Sequence, residues 1–182
     1  NAAVTGLLLP DASAWSQPVL DALRIPASMM PSLVDTSGVI APATALPGAP
    51  PIAALVGDQQ GSLVGQSCVR HGDAKITFGT GGMLDVCLDD AAPASGNRSP
   101  HGTFPIVAWS VGGTTRWGAE GIMLSAGTNV DWLRDDLGII SSSAESHEVA
   151  SQVPSTDGVV YVPALLGLGT PKWDYGARGS LF

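Results

Sequence analysis

An aspartate and a glutamine stand side by side at the start of a predicted helix, and both side chains suit the handling of an alcohol. Asp58 comes shortly after an apolar run at 52–56 that is typical of a buried strand. Its carboxylate can accept a hydroxyl proton, and the positive end of the helix dipole favours the ionised form. The amide of Gln59 can donate and accept hydrogen bonds, as recognition of an alcohol requires. The alternative interpretation is a helix N-cap, in which the Asp58 carboxylate accepts hydrogen bonds from the first free N–H groups.

A second candidate site is the glycine-rich turn Gly79-Thr80-Gly81-Gly82, which lies between two strand-like runs. Glycines allow backbone N–H groups to approach a phosphate, and the Thr80 hydroxyl adds a further donor. No Lys-Ser or Lys-Thr pair follows, so the turn is not a Walker A loop. The alternative is the plain tight turn of a β-hairpin.

Gly127 and Asp131 lie four residues apart in a segment, 121–137, whose apolar residues recur at helical spacing. The two residues therefore share one face of the predicted helix. A glycine inside a helix costs about 1 kcal/mol relative to alanine, so its presence needs a structural reason. Close helix packing is one such reason. The other is a face that a flat ligand approaches, with Asp131 at its rim.

The cysteines and histidines are too scattered along the chain to suggest a metal centre. Cys68 and Cys87 lack C-x-x-C spacing, and His71, His101 and His147 are equally dispersed. We therefore expect no metal-ligating residues. The two cysteines are interpreted as small core side chains, and free thiols fit a reducing cytoplasm.

The elements that position these residues alternate between strands and helices. The sequence pattern predicts helices at 16–23, 59–69 and 121–137 and strands at 52–56, 74–78, 83–88, 105–111, 114–119 and 158–162. Residues 27–51 contain five prolines and predict a surface connection. Hairpins mixed with helices indicate an α/β fold, and the change of pattern near 66–73 marks the best candidate for a domain boundary.

Charge and composition exclude several classes of function. The 182-residue chain has a net charge of −8 with eight Lys and Arg, so it lacks the basic patch of a nucleic-acid-binding protein. No stretch approaches the roughly 20 consecutive apolar residues of a membrane span. A G-x-S-x-G motif is missing, which leaves serine hydrolase chemistry unsupported. Hydrophobic residues make up 45% and charged residues 13%, which favours a piece of a larger protein or faces covered by partners.

Four motifs follow one another along the chain. They are Val56-Gly57-Asp58-Gln59-Gln60 through Gln66, Ala74-Lys75-Ile76-Thr77-Phe78-Gly79-Thr80-Gly81, Ala119-Glu120-Gly121 through Trp132-Leu133-Arg134-Asp135, and Tyr161-Val162-Pro163-Ala164 with Trp173-Asp174. Together they resemble the FGGY family of carbohydrate kinases, and within it the members that phosphorylate glycerol. The resemblance spans nearly the whole chain and includes Asn1-Ala2 and Trp15 near its start.

The resemblance implies an α/β, actin-like (ribonuclease-H-like) ATPase fold of two domains, with the active site in the cleft between them. On this basis the fold is incomplete in the chain. Residues 1–66 correspond to the C-terminal part of the first domain, and residues 67–182 to the N-terminal part of the second, nucleotide-side domain. We expect the chain alone to be inactive, because half of the cleft lies outside it.

The same resemblance implies ATP-dependent phosphorylation of glycerol to glycerol 3-phosphate, with ATP and Mg²⁺ as cofactors. Asp58 is then the catalytic base and binds the polyol together with Gln59. The implied nucleotide-binding residues are Gly79, Thr80, Gly127 and Asp131. We expect a cytoplasmic location and a homo-oligomer in the full-length protein, with no nucleic acid or membrane as partner.

Departures from the family pattern leave alternatives open. Asp131 stands where the family typically has Gln, and Met83 replaces an aromatic residue that packs near the polyol. Another sugar or polyol is therefore an alternative substrate. A non-catalytic nucleotide-binding module is the alternative from a different class of function.

Overall fold

The computed structural model describes residues 2–94 and 96–182, which form two compact units. Unit 1 consists of residues 2–75, 85–94, 96–99 and 104–120, and unit 2 of residues 76–84, 100–103 and 121–182. The motif position Asn1, which the resemblance includes, lies outside the described residues. The predicted division between domains at residue 66 stays a prediction.

Short helices and strands alternate along the described chain. The α-helices are α1 (Gln17–Leu23), α2 (Asp58–Gly65), α3 (Gly127–Asp135) and α4 (Glu145–Ala150), and 3-10 helices cover Ala2–Thr5 and Ala27–Met29. The strands are β1 (Ser37–Pro42), β2 (Pro51–Ala54), β3 (Ala74–Phe78), β4 (Gly82–Cys87), β5 (Phe104–Val111), β6 (Thr114–Met123), β7 (Tyr161–Val162) and β8 (Ser180–Leu181).

Among the described residues, the strands form a six-stranded sheet in the order β2-β1-β5-β6-β4-β3, and β7 pairs with β8. Strand β1 runs antiparallel to β2 and parallel to β5, with Ser37 opposite Val111. Because helices and both kinds of strand pairing occur together, the α/β prediction is confirmed.

The turn between β5 and β6 is the predicted hairpin. Gly112 and Gly113 have φ angles of +60° and +76°. Two successive positive φ angles fit the tight turn whose twist matches paired strands, and glycine adopts them without steric cost. The side chain of Asp35 supports this turn, because its Oδ2 accepts a hydrogen bond from the Gly113 N–H at 2.9 Å.

The strands β5 and β6 and the helices α1 and α2 all contribute buried apolar residues to unit 1. Ile106 and Ala108 lie two residues apart on the same face of β5, and both are buried, as expected for a strand with one face toward the core. Leu20 of α1 and Leu63 of α2 are fully buried, and Trp117 of β6 is 6% exposed. Burial of Leu63 anchors α2, and therefore its first residues, within unit 1.

In unit 2, the glycine-rich stretch after β7 is held by side-chain hydrogen bonds. Trp173 Nε1 donates to the Gly102 carbonyl at 2.6 Å, and the Thr170 hydroxyl accepts from the Ile122 N–H at 2.9 Å. Ile140 and Ala164 are buried apolar residues of this unit.

Several element predictions differ from the structure. The helix predicted over 121–137 begins at Gly127, because 121–123 continue strand β6, where the Ile122 carbonyl accepts from the Thr170 N–H at 2.8 Å. The predicted surface connection at 27–51 contains β1, and helix α4 was not predicted. Partners distant in sequence explain the first two differences, and local periodicity does not contain them.

Candidate functional site

The start of helix α2 places Asp58 and Gln59 in unit 1. Gly57, with φ −70° and ψ 153°, is the N-cap residue, and Asp58 is the first helical residue. The Asp58 carboxylate accepts a hydrogen bond from the Gln59 N–H at 2.9 Å. The N-cap interpretation of Asp58 is therefore wrong by one residue, although the carboxylate still lies in the first turn, where the helix dipole favours negative charge. Asp58 is exposed and Gln59 is half-buried.

A cavity of about 620 Å³ lies in unit 1 beside the start of α2. Val56, Gly57 and Gln60 line it, together with residues of the N-terminal segment and of β5. Asp58 and Gln59 are not among its described lining residues, so the cavity is adjacent to the predicted catalytic carboxylate without including it.

In unit 2, the turn after β3 meets the beginning of α3 through backbone hydrogen bonds. The Gly79 carbonyl accepts from the Gly127 N–H at 2.8 Å, and the Thr80 carbonyl accepts from the Ala126 N–H at 2.9 Å. The Thr128 hydroxyl also donates to the Thr80 carbonyl, at 3.3 Å. The structure thus brings together three of the predicted nucleotide-binding residues: Gly79, Thr80 and Gly127.

Gly127 has a steric reason to be glycine. A Cβ atom there would lie 2.6 Å from the Gly79 carbonyl oxygen, which is closer than real Cβ contacts allow. Because that oxygen belongs to the backbone, a larger residue would push the turn and the helix apart. The amide of Gly127 is already bonded to Gly79, so this residue contributes close approach rather than a donor.

Asp131 lies one helical turn beyond Gly127 on α3 and is exposed. Its Oδ1 is 3.1 Å from Nη1 of Arg134, which also bonds the carboxylate of Asp135 and the hydroxyl of Ser143. An exposed ion pair of this kind contributes little to stability. Asp131 is thus an exposed carboxylate that pairs with Arg134.

A side-chain network in unit 2 had no role in the sequence-based predictions. Asn129 Nδ2 donates to the carbonyls of Ser125 and Ala126, at 2.8 and 3.2 Å, and its Oδ1 accepts from the Tyr161 hydroxyl at 2.7 Å. The ring of Tyr161 stacks on Trp132 with a centroid distance of 5.8 Å. Burial raises the pKa of Tyr161 above its usual value, so the phenol stays a hydrogen-bond donor.

Unit 1 contains a group of buried charges that sequence reasoning also missed. Lys75 Nζ lies 2.5 Å from Asp85 Oδ2, and both side chains are fully buried. Burial raises the pKa of Glu120, and the negative charge of Asp85 raises it further, while Lys75 acts in the opposite direction. The charged residues lie on strands β3, β4 and β6, where neighbouring apolar residues gave no sequence signal for a polar cluster.

Within 2–94 and 96–182, no group of three or more His, Cys, Asp or Glu side chains is arranged to hold a metal ion. None of the helices in the same part of the chain is both long enough and apolar enough to cross a membrane.

Comparison with known proteins gives consistent matches along the chain. The model of the C-terminal domain of the FGGY family of carbohydrate kinases matches residues 74–182. The glycerol kinase of Alkalilimnicola ehrlichii is 45% identical over 184 aligned positions, which cover 100% of the chain and 36% of that enzyme. The chain therefore spans about a third of the length of the curated relatives it matches.

Solved structures of similar proteins match the same region. The glycerol kinase of Plasmodium falciparum with ADP has a TM-score of 0.86 and 25% identity, covering 100% of the chain and 36% of that structure. A ligand-bound xylulose kinase from Lactobacillus acidophilus has a TM-score of 0.77 and 24% identity, covering 99% of the chain and 37% of that structure, and supports the fold alone.

Proposed function

Because the chain belongs to the FGGY family of carbohydrate kinases and has part of their actin-like ATPase fold, we propose that the complete protein phosphorylates glycerol with ATP. The product is glycerol 3-phosphate. The observation that carries the proposal is the contact of the Gly79-Thr80 turn with the start of α3, which Gly127 makes sterically possible. Identity of 45% to a glycerol kinase over the whole chain supports glycerol as the substrate.

We assign the proton acceptor to Asp58 and polyol binding to Asp58 and Gln59. As a hydroxyl oxygen of glycerol bonds to the γ-phosphorus, the bond from that phosphorus to the bridging oxygen of ADP breaks. The hydroxyl proton passes to the Asp58 carboxylate. Phosphoryl transfer needs mainly positioning and charge stabilisation, so an exposed carboxylate is adequate as the proton acceptor.

The proposed nucleotide site is formed by Gly79, Thr80, Gly127 and Asp131. In this site Gly127 lets the turn and the helix approach each other, and the exposed Thr80 hydroxyl is the donor to a phosphate oxygen. The described residues offer no metal-ion cluster. Mg²⁺ is therefore proposed to enter as the magnesium complex of ATP, in which phosphate oxygens supply ligands.

Domain division, assembly and location complete the proposal. Residues 1–66 are assigned to the first domain and 67–182 to the second, with a homo-oligomer as the working assembly of the complete protein. Cys68 and Cys87 are both free thiols, which supports a reducing compartment such as the cytoplasm.

The proposal is tested by replacing the proposed base in the complete protein. Asp58→Asn keeps the shape of the side chain and removes its capacity to accept a proton at neutral pH. We expect kcat for ADP release with glycerol to fall about 10²- to 10⁴-fold, the usual contribution of a general base. The matched control is Asp21→Asn, at an exposed aspartate of α1 in the same unit.

The measurement is ADP release with MgATP and a panel of glycerol, other polyols and ketoses. Glycerol-dependent turnover that survives Asp58→Asn contradicts the role of Asp58. If another polyol is preferred, the proposed substrate changes to that polyol, as the departure of Met83 from the family pattern allows. ATP binding without turnover on any member of the panel overturns the kinase proposal in favour of a non-catalytic module.

A further inference from the structure

The shape of the Gly79-Thr80 turn depends on the residues that precede and begin α3. Both carbonyls of this turn are held by N–H groups of residues 126–128, at 2.8 to 3.4 Å. Any displacement of residues 125–128 therefore displaces the turn. Contacts that hold residues 125–128 in position therefore also determine where the Thr80 hydroxyl lies.

Asn129 holds that segment from within the helix. Its Nδ2 donates to the carbonyls of Ser125 and Ala126, and this leaves Oδ1 as the acceptor for the Tyr161 hydroxyl. The two carbonyls require the amide nitrogen on their side, so the hydrogen bonds settle the orientation of the Asn129 amide. With both ends of the amide engaged, the side chain has one arrangement.

Tyr161 is itself held from two directions. Its ring stacks on Trp132 of α3 at an interplanar angle of 10°. Its backbone belongs to β7, which pairs antiparallel with β8 through Tyr161 and Leu181. The phenol hydroxyl therefore reaches Asn129 from a fixed position, as a rigid outer support of the segment around Ala126.

We propose that Asn129 and Tyr161 are positioning residues for the nucleotide, holding the segment before α3 so that the Gly79-Thr80 turn keeps its phosphate-binding shape. The proposal rests on the proposed function for its ligand, a nucleoside diphosphate or triphosphate. Neither residue is assigned a contact with the nucleotide. They act through Ala126, Gly127 and the backbone bonds to the turn.

The test is Tyr161→Phe in the complete protein, which removes the hydroxyl and keeps the stacked ring. We expect the dissociation constant for ADP to rise about two- to tenfold, the effect of one lost hydrogen bond. KM for ATP rises in parallel, while KM for glycerol is unchanged. The matched control is Tyr175→Phe, which makes the same chemical change at an exposed tyrosine in unit 2.

Hydrogen exchange separates positioning from general destabilisation and does not depend on turnover. We expect the amides of residues 126–128 to exchange faster in Tyr161→Phe than in the parent or in Tyr175→Phe, with the amides of β5 unchanged. In an Asn129→Ala background, adding Tyr161→Phe is expected to have no further effect, because the hydroxyl has lost its acceptor.

The outcomes distinguish this proposal from the proposed function. Equal ADP affinity in Tyr161→Phe and Tyr175→Phe, or a fall in melting temperature with ADP affinity unchanged, overturns the positioning role. Additive effects of Tyr161→Phe and Asn129→Ala also overturn it. If the parent binds ADP but does not phosphorylate glycerol, the proposed function fails. The positioning role is then still decided by comparing ADP affinity and amide exchange between the variants and the parent. A parent that binds no ADP overturns both.

Discussion

The surroundings of Glu120 oppose the ionisation of its carboxyl group. Burial is the main cause of its raised pKa, and the nearby carboxylate of Asp85 adds to it. The ammonium group of Lys75 acts in the opposite direction, but its effect on the pKa of Glu120 is the smallest of the three. The folded protein therefore holds the proton of Glu120 more tightly than the unfolded chain does.

This difference predicts a pH-dependent effect of Glu120→Gln. Between the ordinary pKa of 4.5 and the raised folded value, the native state binds more protons than the unfolded state, so stability from this group falls as pH rises. Gln has no proton to lose. We expect the free energy of unfolding of the variant, minus that of the parent, to grow with pH across this window.

The measurement is denaturant unfolding of parent and variant at a series of pH values from 4 to about 8, where all other titrations cancel in the difference. The control is Glu145→Gln, whose carboxylate has a lowered pKa because it accepts hydrogen bonds from Ser141. The free energy of unfolding of Glu145→Gln, minus that of the parent, should therefore fall as pH rises. A difference for Glu120→Gln that does not vary with pH contradicts the prediction.

Residue types predicted part of the candidate site and missed the rest for identifiable reasons. Gly79, Thr80 and Gly127 are indicated by glycine content and helical spacing, and the structure brings them together. Tyr161 and Asn129 are 32 residues apart, and although both lie within segments that resemble the family, the sequence assigned neither of them a role. Their contact depends on how β7 approaches α3, which a local reading of the sequence does not contain.

At the scale of elements, strands β3 and β4 are joined by a buried ion pair. Lys75 of β3 and Asp85 of β4 have no exposed side-chain surface. Asp85 Oδ1 has no hydrogen-bond partner among the described residues. Desolvation of such a pair offsets much of its attraction, so its net contribution is small, whereas an isolated buried charge is costly.

Because a buried pair contributes little and an isolated buried charge is costly, the effects of substituting Lys75 and Asp85 on stability are expected not to add. Lys75→Met or Asp85→Leu alone is expected to cost about 3–5 kcal/mol, because each breaks a fully buried ion pair by removing one of its members. Lys75→Met also removes the positive charge that opposes the effect of Asp85 on Glu120. The double variant is expected to lie closer to the parent than either single variant.

A double-mutant cycle by denaturant unfolding measures the coupling energy directly. The exposed pair between Arg134 and Asp131 is the control, and its cycle should give less than about 1 kcal/mol. Costs of Lys75→Met and Asp85→Leu that simply add would contradict the prediction.

Elements with local partners were predicted well, and those with distant partners were not. The hairpin β5–β6 closes across Gly112-Gly113, and the sequence contains its turn chemistry and its alternation. The first residues of the predicted helix at 121–137 instead extend β6, because Ile122 pairs with Thr170. Strand β1 lies in the proline-rich segment that was predicted to be a surface connection, and it pairs with β2 and β5.

At the scale of the whole molecule, the proposed reaction requires more than the residues assigned to it. The proposed base Asp58 belongs to unit 1, and the proposed nucleotide residues belong to unit 2. The chain spans 36% of its glycerol kinase relative from Alkalilimnicola ehrlichii. Catalysis by positioning depends on holding both reactants in line, and this supplies up to about 7–11 kcal/mol of the barrier reduction.

We therefore expect the 182-residue chain by itself to release no ADP with glycerol above the level of its own Asp58→Asn variant. The reason is that misplacement of a reactant by about 1 Å already costs on the order of 10²-fold in rate. The measurement is coupled detection of ADP with MgATP and glycerol, with the complete protein at equal concentration as the positive control. Exposed apolar residues such as Val39 and Phe78, 80% and 72% exposed, require that the chain be shown monomeric first. Glycerol-dependent turnover by the folded chain that Asp58→Asn abolishes would show that these residues suffice for both reactants, and the proposed two-domain cleft would have to be abandoned.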